Sequence, residues 1–465
     1  MGIKGTGMAA LAEILLDRGA ELSGSDGPET FYTDRILQRL AIPYAESFDP
    51  ANVGSDIQLV IHSAAYDLKT NPELMTAAQR GIPVVSYPEA LGLLSASCDS
   101  SGISGTHGKT TTAALSGMIV QAWDLPATIL AGSEVAGFGE RSTLVLGRRY
   151  LVAETCEYRR HFLHFHPRRI VITGVEADHL DYFRDLEDVQ EAFLGYCRNL
   201  PQAGQLIINA DDPGAQEVGD RIRREREDIR VVPYGRSAQG RFRMAEIDSG
   251  AGLTRFRLTG VSEPLLLRYP GIHSVYNATA ALALSSCILE NEGRELTDEL
   301  SKSAAAALAD YRGSRRRSEI LGTAGGVLFI DDYGHHPTEI ASTLEGLRSF
   351  YPDRRIVVDF MSHTYSRTKA LLAAFASCFH AADLVVLHRI YASAREADRA
   401  GVDGRILFEE VKRHHPQVVY FEEPRDSISY LQENLKPGDL FVTMGAGDNW
   451  RIGRQIFESK VEAAQ

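Results

Sequence analysis

Short apolar runs with almost no polar residue at their centres return along this chain, and a helix-forming stretch follows nearly every one. "RYLVAE", "RRIVIT", "QLIINADDPG", "GVLFIDDY", "RRIVVDF", "ADLVVLH", "QVVYF" and "DLFVTMG" are the clearest. Strands of that kind are buried on both faces, which requires helices on both sides of a parallel sheet. This alternation restricts the fold more than any other feature and makes the chain α/β. At 465 residues it is too long for one core, so several domains are expected. Changes of character place three of them, at 1–97, 98–314 and 315–465.

The first domain opens with "MGIKGTGMAALAEILLDRGAELSGSD". A glycine-rich turn, Gly2 to Gly7, feeds an apolar-periodic helix that reaches about Arg18, where Gly19 suits its end. "ELSGSD", "IQLVIHSAA" and "IPVVSY" supply further strands, so this domain reads as Rossmann-like. Such a turn normally follows a buried strand, and here only Met1 precedes it. A misassigned start, upstream of Met1, is expected in preference to a missing strand.

The second domain carries "SSGISGTHGKTTTAAL", Ser100 to Leu115. The usual phosphate-cradling pattern wants glycine, four residues, then Gly-Lys-Thr; here Ile103 holds the first-glycine position and Gly102 stands one place early. Strand, loop and helix still arrive in the required order, so this reads as a P-loop ATPase-like α/β domain. Backbone N–H groups of Gly105, Thr106, His107 and Gly108 would form an anion nest at a helix N-terminus. Lys109 would reach the terminal phosphates and the Thr110 hydroxyl would sit on Mg²⁺, with Thr111 beside it. Glu154 closes the strand "YLVAE" at its carboxyl end, where a hard cation takes carboxylate oxygen, and Glu157 follows three residues later. "ITGVEADHLDYF" puts Asp178 and His179 at another strand end, and His179 is the candidate second metal ligand. Residues 230–270 alternate more and read as a small β addition; "SVYNATAALALSSCILE" is an alanine-rich helix. The third domain reads as a doubly wound, Rossmann-like sheet of five strands with helices between them.

Composition narrows the function classes. The five cysteines are odd in number and scattered, which fits small buried hydrophobes in a reducing cytosol. No segment offers the long uncharged apolar run of a bilayer span, so no membrane partner is expected and the location is read as cytoplasmic. With a net charge of −13 and only "RGSRRR", Arg312–Arg317, as a dense basic run, no nucleic-acid partner is expected either.

Taken together, "GTHGKTTT", a strand-ending Glu, "EADH", "NADD", an Asn-bearing alanine helix, an Arg cluster and "DDYGHHPTE" resemble the Mur ligase family. The resemblance runs from residue 2 to about 455; "GIKGTGM" and "DDYGHHPTE" narrow it to the branch that adds the first amino acid of the peptidoglycan stem. "ETCEYRRHFL", "SHTYSRT" and "YASARE" look closer to one sub-branch than to the better-known form. The resemblance implies an ATP- and Mg²⁺-dependent ligase joining L-alanine to UDP-N-acetylmuramate through an acyl phosphate, acting as a monomer or weak homodimer. It implies Lys109, Glu154, His179, Arg317 and Asp332 as the catalytic set, with Thr110, Glu154 and His179 serving metal. Asn277, Arg317 and Asp332 would hold ATP alongside the loop. Gly5, Gly7 and Met8 would approach the diphosphate of the nucleotide sugar, with Ser25, Asp26 and Ser63 at later strand ends. His336 and His363 would line the cleft, and Arg367 would pair the amino-acid carboxylate.

Four positions depart from the family pattern: Lys4 for a usual glycine, Gly174 and Ser274 for asparagines, and Thr364 for an arginine. Lys4 would add a cation near the diphosphate or point to solvent. Alternative functions are a recycling ligase that attaches a tripeptide to the same sugar, a nicotinamide-dependent dehydrogenase built on the first glycine turn, and a nucleotide-gated binding module. A third, ligase domain that swings to bring Asp332 and Arg367 to ATP on the central domain, closing the cleft, is also expected.

Overall fold

A computed structural model describes residues 1–180, 182–250, 252–392 and 401–463. At its centre is a seven-stranded sheet ordered Arg230–Tyr234, Gln205–Asn209, Arg169–Ile172, Asp99–Ser104, Tyr150–Glu154, Ala127–Val135, Arg141–Val145. All pairings are parallel except the last, an antiparallel edge hairpin. That hairpin escaped the sequence reading. The strand leading into the phosphate loop is therefore the middle one, with the carboxyl ends of Tyr150–Glu154 and Arg169–Ile172 directly beside it.

One face of this sheet is covered by the helices Lys109–Ala122 and Ile272–Asn291. The second is apolar on every side, as a helix sunk in a core must be. By length and composition it is long and apolar enough to cross a membrane, contrary to the expectation of no such run, but 83 % of its most apolar window is buried in the protein. The other face is covered by Leu186–Arg198 and Pro213–Glu225, and by Leu11, Ile14, Leu91 and Leu94 of the N-terminal part, which shares this core. A three-stranded antiparallel sheet, Met244–Gly250, Leu253–Leu258 and Leu265–Leu267, is the β addition read from alternation.

The C-terminal sheet has six strands, ordered Glu319–Ala324, Val327–Asp332, Leu440–Met444, Ile356–Phe360, Leu384–His388, Val418–Phe421. Five are the expected parallel strands. The sixth, Glu319–Ala324, is an antiparallel edge turned by Gly325 and Gly326, whose φ of +56° and +76° suit a tight hairpin. Part of "YASARE", residues 393–396, lies outside the described residues.

The N-terminal part holds two parallel strand pairs, Gly24–Ser25 with Tyr44–Ala45 and Val60–His62 with Val84–Ser86. Met1 and Gly2 join them: the Gly2 amide donates to Ser25 O at 2.8 Å, the Ser63 amide to Met1 O at 3.0 Å, and the Met1 ammonium to Ile61 O at 2.7 Å. Beneath this junction no strand among the described residues lies between the pairs. An apolar groove runs there instead, lined by Met8, Leu11, Leu15, Leu22, Leu59 and Ile61. The cysteines divide: Cys197, Cys287 and Cys378 are buried, whereas Cys98 is half-buried and Cys156 exposed, so only three of them act as buried hydrophobes.

Candidate active site

Two glycines shape the phosphate loop. Gly105 and Gly108 take φ of +138° and +82°, where L side chains are strained. A Cβ at Gly105 would overlap the Thr173 hydroxyl, and one at Gly108 would overlap the Asn277 amide. Gly102, the glycine one place early, lies inside the strand, and its missing side chain leaves room for the Tyr196 hydroxyl. Its role is packing. Thr106 ties the loop to its neighbour: its amide donates to Gly174 O at 2.9 Å, and its hydroxyl accepts from the Glu176 amide at 2.9 Å. Gly174, the family departure, thus serves through its carbonyl. Ser274 is buried and donates its hydroxyl to Pro270 O, just ahead of its own helix.

The expected catalytic set converges on this loop. Thr110 Oγ1 donates to Glu154 Oε2 at 2.7 Å. A Cβ on Gly132 would collide with both groups, so glycine there keeps a small oxygen-lined cradle open. Hydroxyl plus carboxylate oxygen is a donor set suited to Mg²⁺. Lys109 does not extend along the loop as expected. Its ammonium folds back to Gly105 O and to Glu157, 3.1 Å away. Burial works against charge on Glu157, but Lys109 and His179 overcome it and hold its carboxyl below the usual range. His179 Nε2 stands 3.6 Å from Glu157 Oε1, and the residue takes a φ of +53°, a strained conformation of the kind found at functional sites.

The C-terminal part completes the enclosure. One cavity is lined by Thr110, Asn277, Arg317, Asp332, Tyr276 and Glu339, the next by Lys109, Glu154, His179, Arg317, His363 and Arg367. Arg317 faces both; its guanidinium lies 3.8 Å from Glu339 and over the Tyr333 ring. Its neighbours in the basic run are engaged elsewhere: Arg315 with Glu134 at 3.1 Å, Arg316 with Asp331 at 3.3 Å. Asp332 accepts from the Ser318 amide and hydroxyl and from the Gly334 amide, at 2.6 to 2.9 Å, so its main work here is to set the turn that presents Arg317. Arg367, expected to pair an amino-acid carboxylate, pairs here with Asp178 at 2.9 Å across the two domains. That pairing overcomes burial and drives the Asp178 carboxyl far below its ordinary range. His335 is pushed down to about 3 by burial and by Arg367, so it is neutral. His336 caps the helix Pro337–Phe350. Thr364, the fourth departure, is a β-branched residue at φ +69° capping the short helix Tyr365–Ala370.

Two carboxylates that sequence reading quoted but left without a role join the phosphate loop to the C-terminal part. Glu339 lies 2.9 Å from His107 Nδ1, and Glu176 accepts the Thr338 hydroxyl at 2.9 Å. Burial opposes charge on His107, yet these carboxylates raise it to about 10. Their signal was position: each follows a buried strand by a few residues inside a quoted motif.

The N-terminal candidates separate. Ala9 N–H bonds back to Gly5 O at 2.8 Å, so the amides of Thr6, Gly7 and Met8 form the open first turn. The side-chain expectations fare differently. Gly7 is small because the Tyr87 ring packs on it, and the Met8 side chain faces the apolar groove. Ser25 donates to Glu73, while Asp26 is taken up by the Lys4 and Gly27 amides at 2.7 and 2.8 Å. Ser63 Oγ accepts the Ala65 amide at 3.3 Å. Lys4 neither reaches a diphosphate position nor points to solvent. It is 1 % exposed, with Glu46 at 2.9 Å, Asp34 at 3.5 Å and the Gly27 and Glu29 carbonyls around it.

Comparison with known proteins matches three family models to successive parts of the chain. Residues 1–98 match the model "Mur ligase family, catalytic domain", 103–285 the "Mur ligase middle domain", and 316–447 the "Mur ligase, glutamate ligase domain". A UDP-N-acetylmuramate–L-alanine ligase of Treponema pallidum (strain Nichols) is 50 % identical over 457 residues, 98 % of this chain and 95 % of that protein. One from Borreliella burgdorferi is 37 % identical over 453 residues, 97 % and 96 % of the two chains. The crystal structure of UDP-N-acetylmuramate-alanine ligase MurC from Thermotoga maritima superposes with a TM-score of 0.78 at 24 % identity, covering 100 % of this chain and 98 % of that one. A MurF ligase from Thermotoga maritima in complex with ADP shares the fold at a TM-score of 0.62 and 15 % identity, over 88 % and 97 % of the chains.

Proposed function

The chain belongs to the Mur ligase family, and on that premise we propose that it joins L-alanine to the lactyl carboxylate of UDP-N-acetylmuramate with ATP as the phosphoryl donor. The observation that carries this reading is the enclosure of one phosphate loop by Glu154, His179 and Arg317 from three separate elements, in a chain half identical to a ligase of that name.

A carboxylate does not condense with an amine at neutral pH, because oxide is too poor a leaving group. Transfer of the γ-phosphoryl group makes the carboxylate an acyl phosphate, and ADP leaves. The alanine amine, as the free base, then attacks the carbonyl carbon; the tetrahedral species expels phosphate and the nitrogen loses its proton. The first step brings two anions together, so the site must supply positive potential. Lys109 supplies it once phosphates draw its ammonium away from Glu157. Arg317 supplies it from the opposite wall, and loop amides including that of His107 take the phosphate oxygens. Thr110 and Glu154 would hold Mg²⁺, with His179 and Glu157 beside them for a second ion. When bound, Mg²⁺ screens the phosphate charge and fixes its geometry. The first-turn amides at Thr6–Met8 take the diphosphate of the nucleotide sugar. Arg367, released from Asp178, is the cation available to a substrate carboxylate.

Purified chain, ATP, Mg²⁺ and UDP-N-acetylmuramate should release ADP and phosphate only when L-alanine is added. Hydrolysis at the same rate without alanine, or a preference for tripeptide over alanine in competition, would overturn the assignment.

A further inference from the structure

Where the phosphate loop meets the helix Pro337–Phe350, three side chains gather whose donor atoms the ligation chemistry leaves unused. His107 Nε2 stands 3.9 Å from Glu176 Oε2, and His336 Nδ1 stands 3.7 Å from the same oxygen. One ligand atom from each of the three falls within 4.8 Å of the others. A tetrahedral ion with metal–nitrogen bonds of about 2.0–2.1 Å spaces its ligand atoms by roughly 3.3–3.5 Å. Two of the three edges therefore need close by only a few tenths of an ångström.

Two independent observations point to a cation. The Nε2 atom of His107, the ligand atom measured above, is buried without a hydrogen-bond partner among the described residues. Buried ring nitrogens left unpaired call for a partner. Two of the three ligands are also held from behind. Glu339 Oε1 takes His107 Nδ1 at 2.9 Å and the Thr338 hydroxyl donates to Glu176 at 2.9 Å, whereas the Thr338 amide donates to His336 Nδ1 at 3.3 Å, a bond that gives way when that nitrogen takes the ion. A carboxylate behind an imidazole is the usual outer shell of a metal-ligating histidine.

We infer that His107, Glu176 and His336 form a binding site for a borderline divalent cation, Zn²⁺ or its like, spanning the central and C-terminal domains. Two imidazoles and one carboxylate suit such an ion and not Mg²⁺, which prefers an all-oxygen shell like that of Thr110 and Glu154. Because His107 and Glu176 belong to one domain and His336 to the other, the ion ties them together. Bound Zn²⁺ holds the cleft shut and slows turnover at the stage that needs opening.

The test uses the full chain, stripped with chelator and then kept in millimolar Mg²⁺. Titration with Co²⁺ should produce the intense visible bands of a four-coordinate ion at one equivalent, and Zn²⁺ should abolish them. Glu176→Gln and His336→Gln should each weaken Co²⁺ and Zn²⁺ binding by at least roughly tenfold, and Thr338→Ala by about the same factor. Zinc should slow ligation by the wild-type chain at concentrations that match its binding curve, and each variant should lose sensitivity relative to its own zinc-free rate. Since His336 also caps a helix, Glu176→Gln is the variant to read if His336→Gln fails to fold. Absence of Co²⁺ bands, or binding unchanged in Glu176→Gln, would overturn the site.

Discussion

The Lys109 ammonium lies 3.1 Å from the buried carboxylate of Glu157, which in turn stands 3.6 Å from His179. One acid thus holds the cation of the phosphate loop and faces the histidine expected to serve metal. Nucleotide phosphates must replace Glu157 as the partner of Lys109. Lys109→Met should lower the alanine-dependent release of phosphate by about 10²–10³-fold, the usual loss when one preorganised donor to a developing charge is removed. A rate within a factor of three of wild type would remove Lys109 from the chemistry.

The Arg367–Asp178 pair joins the C-terminal domain to the central one. Both side chains are at most 10 % exposed, so removing one strands the other. Arg367→Ala should weaken the closed arrangement by about 3–5 kcal/mol, read as a larger radius of gyration in solution scattering. Asp178→Ala combined with Arg367→Ala should be less open than Arg367→Ala alone. An unchanged scattering profile in the single variant would show that this pair does not hold the cleft.

Two histidines give stability opposite slopes with pH. His335 has its pKa lowered from 6.5 to about 3 in the folded chain, so the unfolded chain binds more protons between those values and stability falls as pH drops below about 6.5. His107 has its pKa raised from 6.5 to about 10, so the folded chain binds more protons there and stability falls as pH rises above about 6.5. A melting temperature measured from pH 5 to 10 should therefore peak near pH 6.5, and His107→Gln should flatten the alkaline limb. An alkaline limb unchanged by that variant would locate its cause elsewhere.

Gly105→Ala and Gly108→Ala place a side chain at positive φ against Thr173 and Asn277. Each should destabilise the chain by about 1–3 kcal/mol and reduce ATP binding. Gly102→Ala, which meets the Tyr196 hydroxyl behind the loop, should destabilise without a specific loss of ATP affinity. Calorimetric melting alongside nucleotide titration separates the two effects.

The apolar groove between Gly24–Ser25 and Val60–His62 is flanked by strand edges that Met1 and Gly2 bridge only at one end. Adding four β-branched residues ahead of Met1 should fill it with a parallel strand and raise the melting temperature, since both edges gain ladder bonds and Leu59 and Leu22 become covered. The same extension written with serine and glycine should do neither. Equal melting temperatures for the two extended chains would mean that the groove does not accept a strand.

Much of the fold was legible because its determinants are local. Both-face burial of "YLVAE" and "RIVI" announces parallel strands, and Gly105 and Gly108 announce a turn that only glycine takes without strain. The misses share a physical cause. The edge strand Glu319–Ala324 is half-covered and Arg141–Val145 buries Ser142 and Thr143, so neither shows the continuous apolar signature of the inner strands. Lys4 was misjudged because a lysine in a glycine turn looks solvated until the chain brings Asp34 and Glu46 around it. The pairing of Arg367 with Asp178 could not be read locally, because the two lie 189 residues apart.

The order of residues alone therefore determined the α/β class, the place of the phosphate loop, and the family. Periodicity and turn chemistry act over a few residues and can be read one segment at a time. Tertiary structure decided which groups meet: Glu157 with Lys109, Glu339 with His107, Asp178 with Arg367. Those pairings depend on how whole domains pack, and the charge each group carries follows from what packing places within a few ångströms of it.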